Sequence, residues 1–116
     1  MRQFEEFTQT EEQFGCSEQL AKFFPGASRV RVPVHVTALR GGVSRLRETS
    51  VVEFATLEHA IFASGLPLEF DDKVRLEGNR PAHTVDGEVV AVQYHDDRKA
   101  VAIRFLRGEC HWMMHS

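Results

Sequence analysis

The sequence contains no long apolar run, and no stretch approaches the roughly 20 residues that a membrane-spanning helix needs. The first residues have no apolar core of the kind found in signal peptides. Cysteine is also scarce, because Cys16 and Cys110 are its only occurrences, too few for a disulfide framework. These absences predict a cytoplasmic protein with no membrane partner and with two reduced thiols.

An excess of basic charge is absent as well. The chain has 14 lysine and arginine residues against 17 aspartate and glutamate residues, which gives a net charge of -3. This balance argues against wholesale binding to nucleic acid or to anionic lipid. With 42% hydrophobic and 27% charged residues, the 116-residue chain has the composition of one ordinary globular domain.

Motifs of common catalytic and metal sites are missing too. There is no Gly-x-Ser-x-Gly elbow, no glycine loop of the kind that cradles phosphate, and no paired-acid signature. Histidine, cysteine and aspartate side chains occur at positions 95–97 and 110–115, but no CxxC pair completes a zinc ligand set. We therefore expect a protein that is not an enzyme and that holds neither a metal nor a resident cofactor.

Alternating strand patterns dominate the part of the chain that is rich in valine. Two apolar runs, 88–94 and 99–106, flank a short polar turn and predict a β-hairpin. In the second run, large apolar residues alternate with small or polar ones. This period of two places Val101, Ile103 and Phe105 on one face of the strand.

Four more segments have strand character: 29–37, 44–54, 59–63 and 73–77. Pro33 interrupts the first and predicts an edge, or an outward-turned side, because proline cannot donate to a ladder. Alternation in the tail, 110–115, predicts either a last strand or a segment packed across an open end. We expect a mainly β fold, a small six-stranded antiparallel barrel whose closure removes exposed edges.

The sequence divides at Pro25-Gly26 into an acidic N-terminal arm or short helix, 1–24, and a barrel domain, 25–116. Five glutamates and several phenylalanines are interspersed in the arm. An acidic arm with aromatic rings generally docks on a surface. Docking on its own barrel is the simpler interpretation, and docking on a foreign partner is the alternative.

Four short segments follow one another in a characteristic order: RVPV at 31–34, LPL followed by VRLE within 66–77, GEVV at 87–90, and AVAIRF at 100–105. Taken in this order, they resemble the PilZ domain, a six-stranded barrel of bacterial signalling proteins. The resemblance covers residues 31–105. It implies a PilZ-like β-barrel and a signalling role linked to the second messenger cyclic di-GMP.

The first ligand motif of that family, RxxxR, is incomplete in this sequence. Arg31 stands at its second arginine, but Ala27 stands at its first. Arg29 is the substitute that lies nearby. A planar guanidinium suits both phosphate binding and stacking on guanine, so the resemblance implies that Arg29 and Arg31 would hold those groups.

The second ligand motif, [DN]xSxxG, is changed at all three of its defining positions. Alignment on Val51-Val52 places Glu53, Ala55 and Glu58 there, and Ala60 is an alternative for the glycine. Glu58 carries negative charge toward an anionic ligand and does not reach positive φ as glycine does. If the site is retained, Glu53 and Ala55 would line its opposite side.

These departures predict a regulatory or adaptor domain that binds cyclic di-GMP weakly or not at all and acts through protein contacts, with a partner or a second copy. A genuine cyclic di-GMP receptor that uses Arg29 and Arg31 is the first alternative. The second is a nucleic-acid-binding small barrel that uses the arginines of the first two strands. Against it, the simpler interpretation of those arginines is a solvated outer face, paired across the strands with Glu48 and Glu53.

Overall fold

The structure, a computed structural model, describes residues 15–39 and 46–115. Its strands are β1 (Ser28–Ala38), β2 (Arg47–Ala55), β3 (His59–Ala63), β4 (Lys73–Glu77), β5 (Thr84–His95) and β6 (Arg98–Phe105). They close into a barrel in the order β1-β2-β3-β6-β5-β4, and each neighbouring pair is antiparallel. The predicted mainly β, six-stranded antiparallel barrel is confirmed.

Alternate residues of the strands fill the barrel. Three valines of β1 point inward, and the large apolar residues of β6 face them across the interior, as the period of two predicted. All of these side chains are buried in one cluster: Val32, Val34, Val36, Val101, Ile103 and Phe105. The interior therefore follows directly from the sequence pattern.

Pro33 lies where β1 has a neighbour on one side only. It is paired with Val51 of β2, whereas the pairing between β1 and β4 begins at His35. The missing N–H of proline therefore removes no ladder bond on the β4 side. The predicted strand 44–54 begins at Arg47 and ends at Ala55, and positions 44 and 45 lie outside the described residues.

Two β-bulges reverse the alternation locally. In β2, Val52 pairs with Phe62 but Phe54 pairs with Ile61, so two steps of β2 oppose one step of β3. Phe54 consequently belongs to a cluster outside the barrel, although Val52 lies inside it. A second shift, between Val89 and Ala91 of β5, has the same effect on that strand.

A short helix covers the outer apolar surface that the bulges create. Residues 15–21 are helical and are named α1 here. Cys16 and Leu20 of α1 are buried against the sheet, in a cluster that also contains Phe54, Ile61, Ala100 and Ala102. The small alanines of β6 let the helix lie close to the strands. The expected docking on the barrel is observed for this part of the acidic arm, and positions 1–14 lie outside the described residues.

The two barrel ends are closed by different segments. After β6, the chain crosses the end where β1 begins and forms a 3₁₀ helix, Trp112–His115. Met113 is fully buried in the interior cluster, and Cys110 donates its N–H to the carbonyl of Leu57 at 2.8 Å. The predicted alternative of a last strand is therefore wrong, because residues 112–115 form a 3₁₀ helix, and the other alternative, a segment packed across an open end, is the one observed. Leu66 and Leu68 pack into the same cluster from the segment after β3.

We predict that Gly87→Ala destabilises the fold by about 1–3 kcal/mol. A Cβ at Gly87 would lie 2.8 Å from Cδ1 of Ile103 and 2.9 Å from the carbonyl oxygen of Arg104. Gly65→Ala is the matched control, because its Cβ would lie 3.6 Å from a carboxylate oxygen of Glu48. Urea unfolding of both variants measures the difference. Equal free energies of unfolding would contradict the close approach of β5 to β6.

Candidate ligand-binding surface

Arg29 lies on the outer side of β1, at the margin of α1. Its Nη2 atom donates to Oε1 of Glu18 at 3.0 Å, and its guanidinium carbon lies 4.8 Å from the centre of the Phe54 ring. The strand register places Arg29 opposite Phe54, so the bulge in β2 turns the ring toward the arginine. Arg29 therefore joins the acidic helix to the barrel wall.

Arg31 lies two residues further along the same strand and is exposed. Arg29 is paired with Phe54, which faces outward, and the exposed Arg31 precedes Val32, which faces inward, so both arginines lie on the outer side of β1. Arg31 forms no ion pair with any residue in the described ranges. Of the two candidate arginines, Arg31 is the one whose guanidinium stands open to an anion.

The two candidate residues on β2 are separated by the bulge. Glu53 is half-buried and lines a cavity of about 470 Å³ together with Cys16 and Ser17 of α1. Ala55 is only 1% exposed and packs in the interior cluster. The structure thus places Arg29 and Arg31 on the outer face of β1, Glu53 in the cavity beside α1, and Ala55 inside the barrel. These four residues are not gathered around one opening.

The turn between β2 and β3 is built without glycine. Thr56 Oγ1 accepts hydrogen bonds from the backbone N–H groups of Glu58, at 3.0 Å, and His59, at 2.8 Å. Among the described residues, Asp71 and Asp96 are the non-glycine positions with positive φ, so Glu58 needs no such conformation. A threonine turn therefore replaces the glycine turn that the resemblance implies. Ala60, the alternative aligned residue, is fully buried on β3.

Three other arginines of the barrel are paired with acids on another strand, and in two of the pairs that strand is the direct neighbour. Arg47 lies 3.6 Å from Glu77, Arg75 lies 2.8 Å from Asp86, and Arg104 lies 2.7 Å from Glu88. The predicted partner Glu48 instead accepts bonds from Ser64 and from the N–H of Gly65. The partners therefore differ from those predicted, but the outer strand faces are neutralised. Arg40 and Arg45 lie outside the described residues.

Two of these pairs shift the pKa values of their acids, Asp86 and Glu88. The Arg75 guanidinium donates two bonds to Asp86 and lowers the pKa of that carboxyl below its usual value. The hydrogen bond from Arg104 lowers the pKa of Glu88 in the same way. Both carboxylates are therefore ionised near neutral pH, which keeps the strand surface balanced in charge.

The described ranges lack two features, a cluster of metal ligands and a membrane-spanning helix. No group of three or more histidine, cysteine, aspartate and glutamate side chains there is placed to hold a metal ion. No helix in the same ranges has the length and apolar character to span a membrane. The Cys16 and Cys110 thiols are both free and buried, and burial raises the pKa of each.

Comparison with known proteins finds no family model that matches the chain and no curated protein with a significant match.

His59 lies at the other margin of the docked segment. Its ring is 4.9 Å from the ring of Phe24, and its Nδ1 atom is 3.0 Å from Thr56 Oγ1. Because that oxygen already accepts two N–H groups, its own proton points to Nδ1, which fits a neutral imidazole. Burial accordingly lowers the pKa of His59 below its ordinary value of 6.5.

We predict that His59 makes stability increase with pH between its lowered folded pKa and 6.5, the ordinary value. In this window the unfolded chain binds the proton and the folded chain does not, so the slope is positive and at most about 1.4 kcal/mol per pH unit. Urea unfolding of the natural chain and of His59→Gln, at a series of pH values across the window, measures it. A His59→Gln slope equal to that of the natural chain would contradict the assignment.

Proposed function

We propose that this chain is a PilZ-like regulatory or adaptor domain of bacterial second-messenger signalling. It works in the cytoplasm without catalysis, acts through a protein partner, and binds cyclic di-GMP weakly or not at all. The six-stranded antiparallel barrel supports the proposal, because it is the architecture that the resemblance implies. The observation that carries the weak-binding part is the engagement of Arg29 by Glu18 and Phe54.

A phosphate that binds Arg29 must displace the Glu18 carboxylate or share the guanidinium with it. An exposed ion pair contributes about 0.2–1 kcal/mol, and a cation–π contact at an exposed site adds about 0.5–1 kcal/mol. Both reduce the net gain from phosphate binding. The Glu18 carboxylate also repels an anionic ligand, and the Ala55 side chain is buried away from the surface. The candidate residues therefore offer a poor site for a doubly charged dinucleotide.

Action through protein contacts is supported by exposed aromatic rings. Phe23 is 73% exposed, and Phe70 and Tyr94 are each 66% exposed. Aromatic side chains are enriched in protein–protein interfaces, where they bury large area at low cost in conformational entropy. These rings are candidate contact points for a partner protein or for a second copy of the chain.

The receptor alternative is favoured by one observation, the exposed Arg31, which forms no ion pair with the described residues. The nucleic-acid alternative rests on arginines of the first two strands. Of these, Arg29 and Arg47 are paired with Glu18 and Glu77. A cyclic di-GMP receptor is therefore the second candidate function, and oligonucleotide binding is measured as a control.

Titration calorimetry with cyclic di-GMP tests the proposal. We predict no binding tighter than micromolar for the natural chain, about -8 kcal/mol. Glu18→Gln should strengthen the residual binding about threefold, because it releases Arg29 and removes a repelling charge. Arg31→Ala should abolish it.

Glu109→Gln is the matched control, since Glu109 is an exposed glutamate whose nearby partner is His111 rather than an arginine. It should leave the titration unchanged. Nanomolar affinity in the natural chain that Arg31→Ala removes would contradict the proposal and establish the receptor. Oligonucleotide binding with a steep salt dependence would contradict it in favour of the nucleic-acid alternative.

A further inference from the structure

A cavity of about 390 Å³ lies at the barrel end that the C-terminal 3₁₀ helix closes. None of the four candidate residues discussed above lines it. Its wall combines two aromatic rings, two residues of β1 and the turn between β4 and β5: Val32, Pro33, Gly78, Asn79, Arg80, His83 and Trp112. The cavity has the size of small-molecule sites in proteins.

The aromatic side of this cavity is a parallel ring pair. The rings of His83 and Trp112 lie 4.6 Å apart between centroids, with an angle of only 4° between their planes. Gly78 makes room for the pair, because a Cβ there would lie 3.0 Å from both Cβ of His83 and Cζ3 of Trp112. A flat π surface of this kind accepts a further planar ring by stacking.

The ring pair is held in place on both sides. Met113, next to Trp112, is fully buried in the barrel interior. His83 closes the β4–β5 turn, where its carbonyl accepts from the N–H of Gly78 at 2.7 Å and its own N–H donates to Arg80 at 2.9 Å. A surface fixed before binding loses little conformational entropy when a ligand stacks on it.

The charge of this cavity differs from that of two others on the described surface. Glu53 and Asp97 line the cavity beside α1, and Asp86 and Glu109 line a second cavity that Trp112 also borders. Among the described residues of the wall beside the ring pair there is no carboxylate. Its one fully charged side chain is Arg80, which is exposed and forms no ion pair with a described residue.

The cavity wall also contains hydrogen-bonding groups. The Asn79 amide offers both a donor and an acceptor next to the rings, as the edge of a nucleobase requires. A guanidinium at the rim suits a phosphate group. Rings, amide and cation thus occur together, in the combination that single nucleotides need from a protein.

We propose that this cavity binds a 5′-mononucleotide, with the base stacked on the His83–Trp112 pair and the phosphate on Arg80. The cavity contains none of the four residues considered for cyclic di-GMP, so this proposal does not depend on whether the chain binds that ligand. Because Trp112 is the one tryptophan of the chain, its fluorescence reports on the two cavities that its ring borders, and substitutions in each cavity tell them apart.

The test is titration of the full-length chain with AMP and with adenosine, each up to about 10 mM, a range in which weak stacking gives measurable occupancy. Trp112 emission is excited at the red edge of its band, where adenine does not absorb. We expect AMP to quench Trp112 and to bind about tenfold more tightly than adenosine, because only AMP reaches Arg80 with a phosphate. Absence of quenching by either compound would overturn the proposal.

Two arginine substitutions, one in each cavity that Trp112 borders, show which cavity binds the nucleotide. Arg80→Gln should bring the affinity for AMP down to that for adenosine, whereas Arg107→Gln, in the neighbouring cavity, should change neither. The reverse pattern would overturn the assignment. Arg31→Ala should leave AMP binding intact, which separates this result from the cyclic di-GMP titration. Both arginines are exposed, so each variant should keep the melting temperature of the natural chain.

Discussion

The apolar patch on the outside of the barrel is the feature on which the rest of the structure depends. A closed barrel buries its inner face by itself, but bulges in β2 and β5 turn Phe54 and Ala91 outward. Together with Ile61, Ala100 and Ala102 they form a surface that must be covered from water. Helix α1 covers it, and so the acidic segment becomes part of the folded domain.

This covering determines what the arginines of β1 can do. With α1 in place, Glu18 reaches Arg29, and the ring of Phe54 lies against the same guanidinium. The residue best placed to replace the missing first arginine of the ligand motif is therefore already engaged within the chain. The weak affinity for cyclic di-GMP that we propose follows from packing on the barrel wall as much as from the altered motifs. At the barrel end, the His83–Trp112 pair is a second, separate recognition surface.

Regular alternation made the barrel predictable from the sequence. The period of two holds for β1, where Val32, Val34 and Val36 face the interior, and for β6, where Val101, Ile103 and Phe105 do so. The exterior was less predictable, because a bulge changes which face a residue occupies and leaves no mark on composition. Alternation alone places Phe54 with Val52, yet the two lie on opposite sides of the sheet. Ion-pair partners such as Glu18 of Arg29 depend on contacts between distant segments, which one sequence does not reveal.

Reaction of the Cys16 thiol with a thiol reagent tests most directly whether α1 is docked. Cys16 lies on the face of α1 that packs against the strands, and it is only 7% exposed. In a Cys110→Ala variant it is the one thiol of the chain. We expect native protein to react at least about a thousandfold more slowly than urea-unfolded protein, because the buried thiol becomes fully accessible when α1 leaves the barrel. Reaction at the unfolded rate under native conditions would contradict the account.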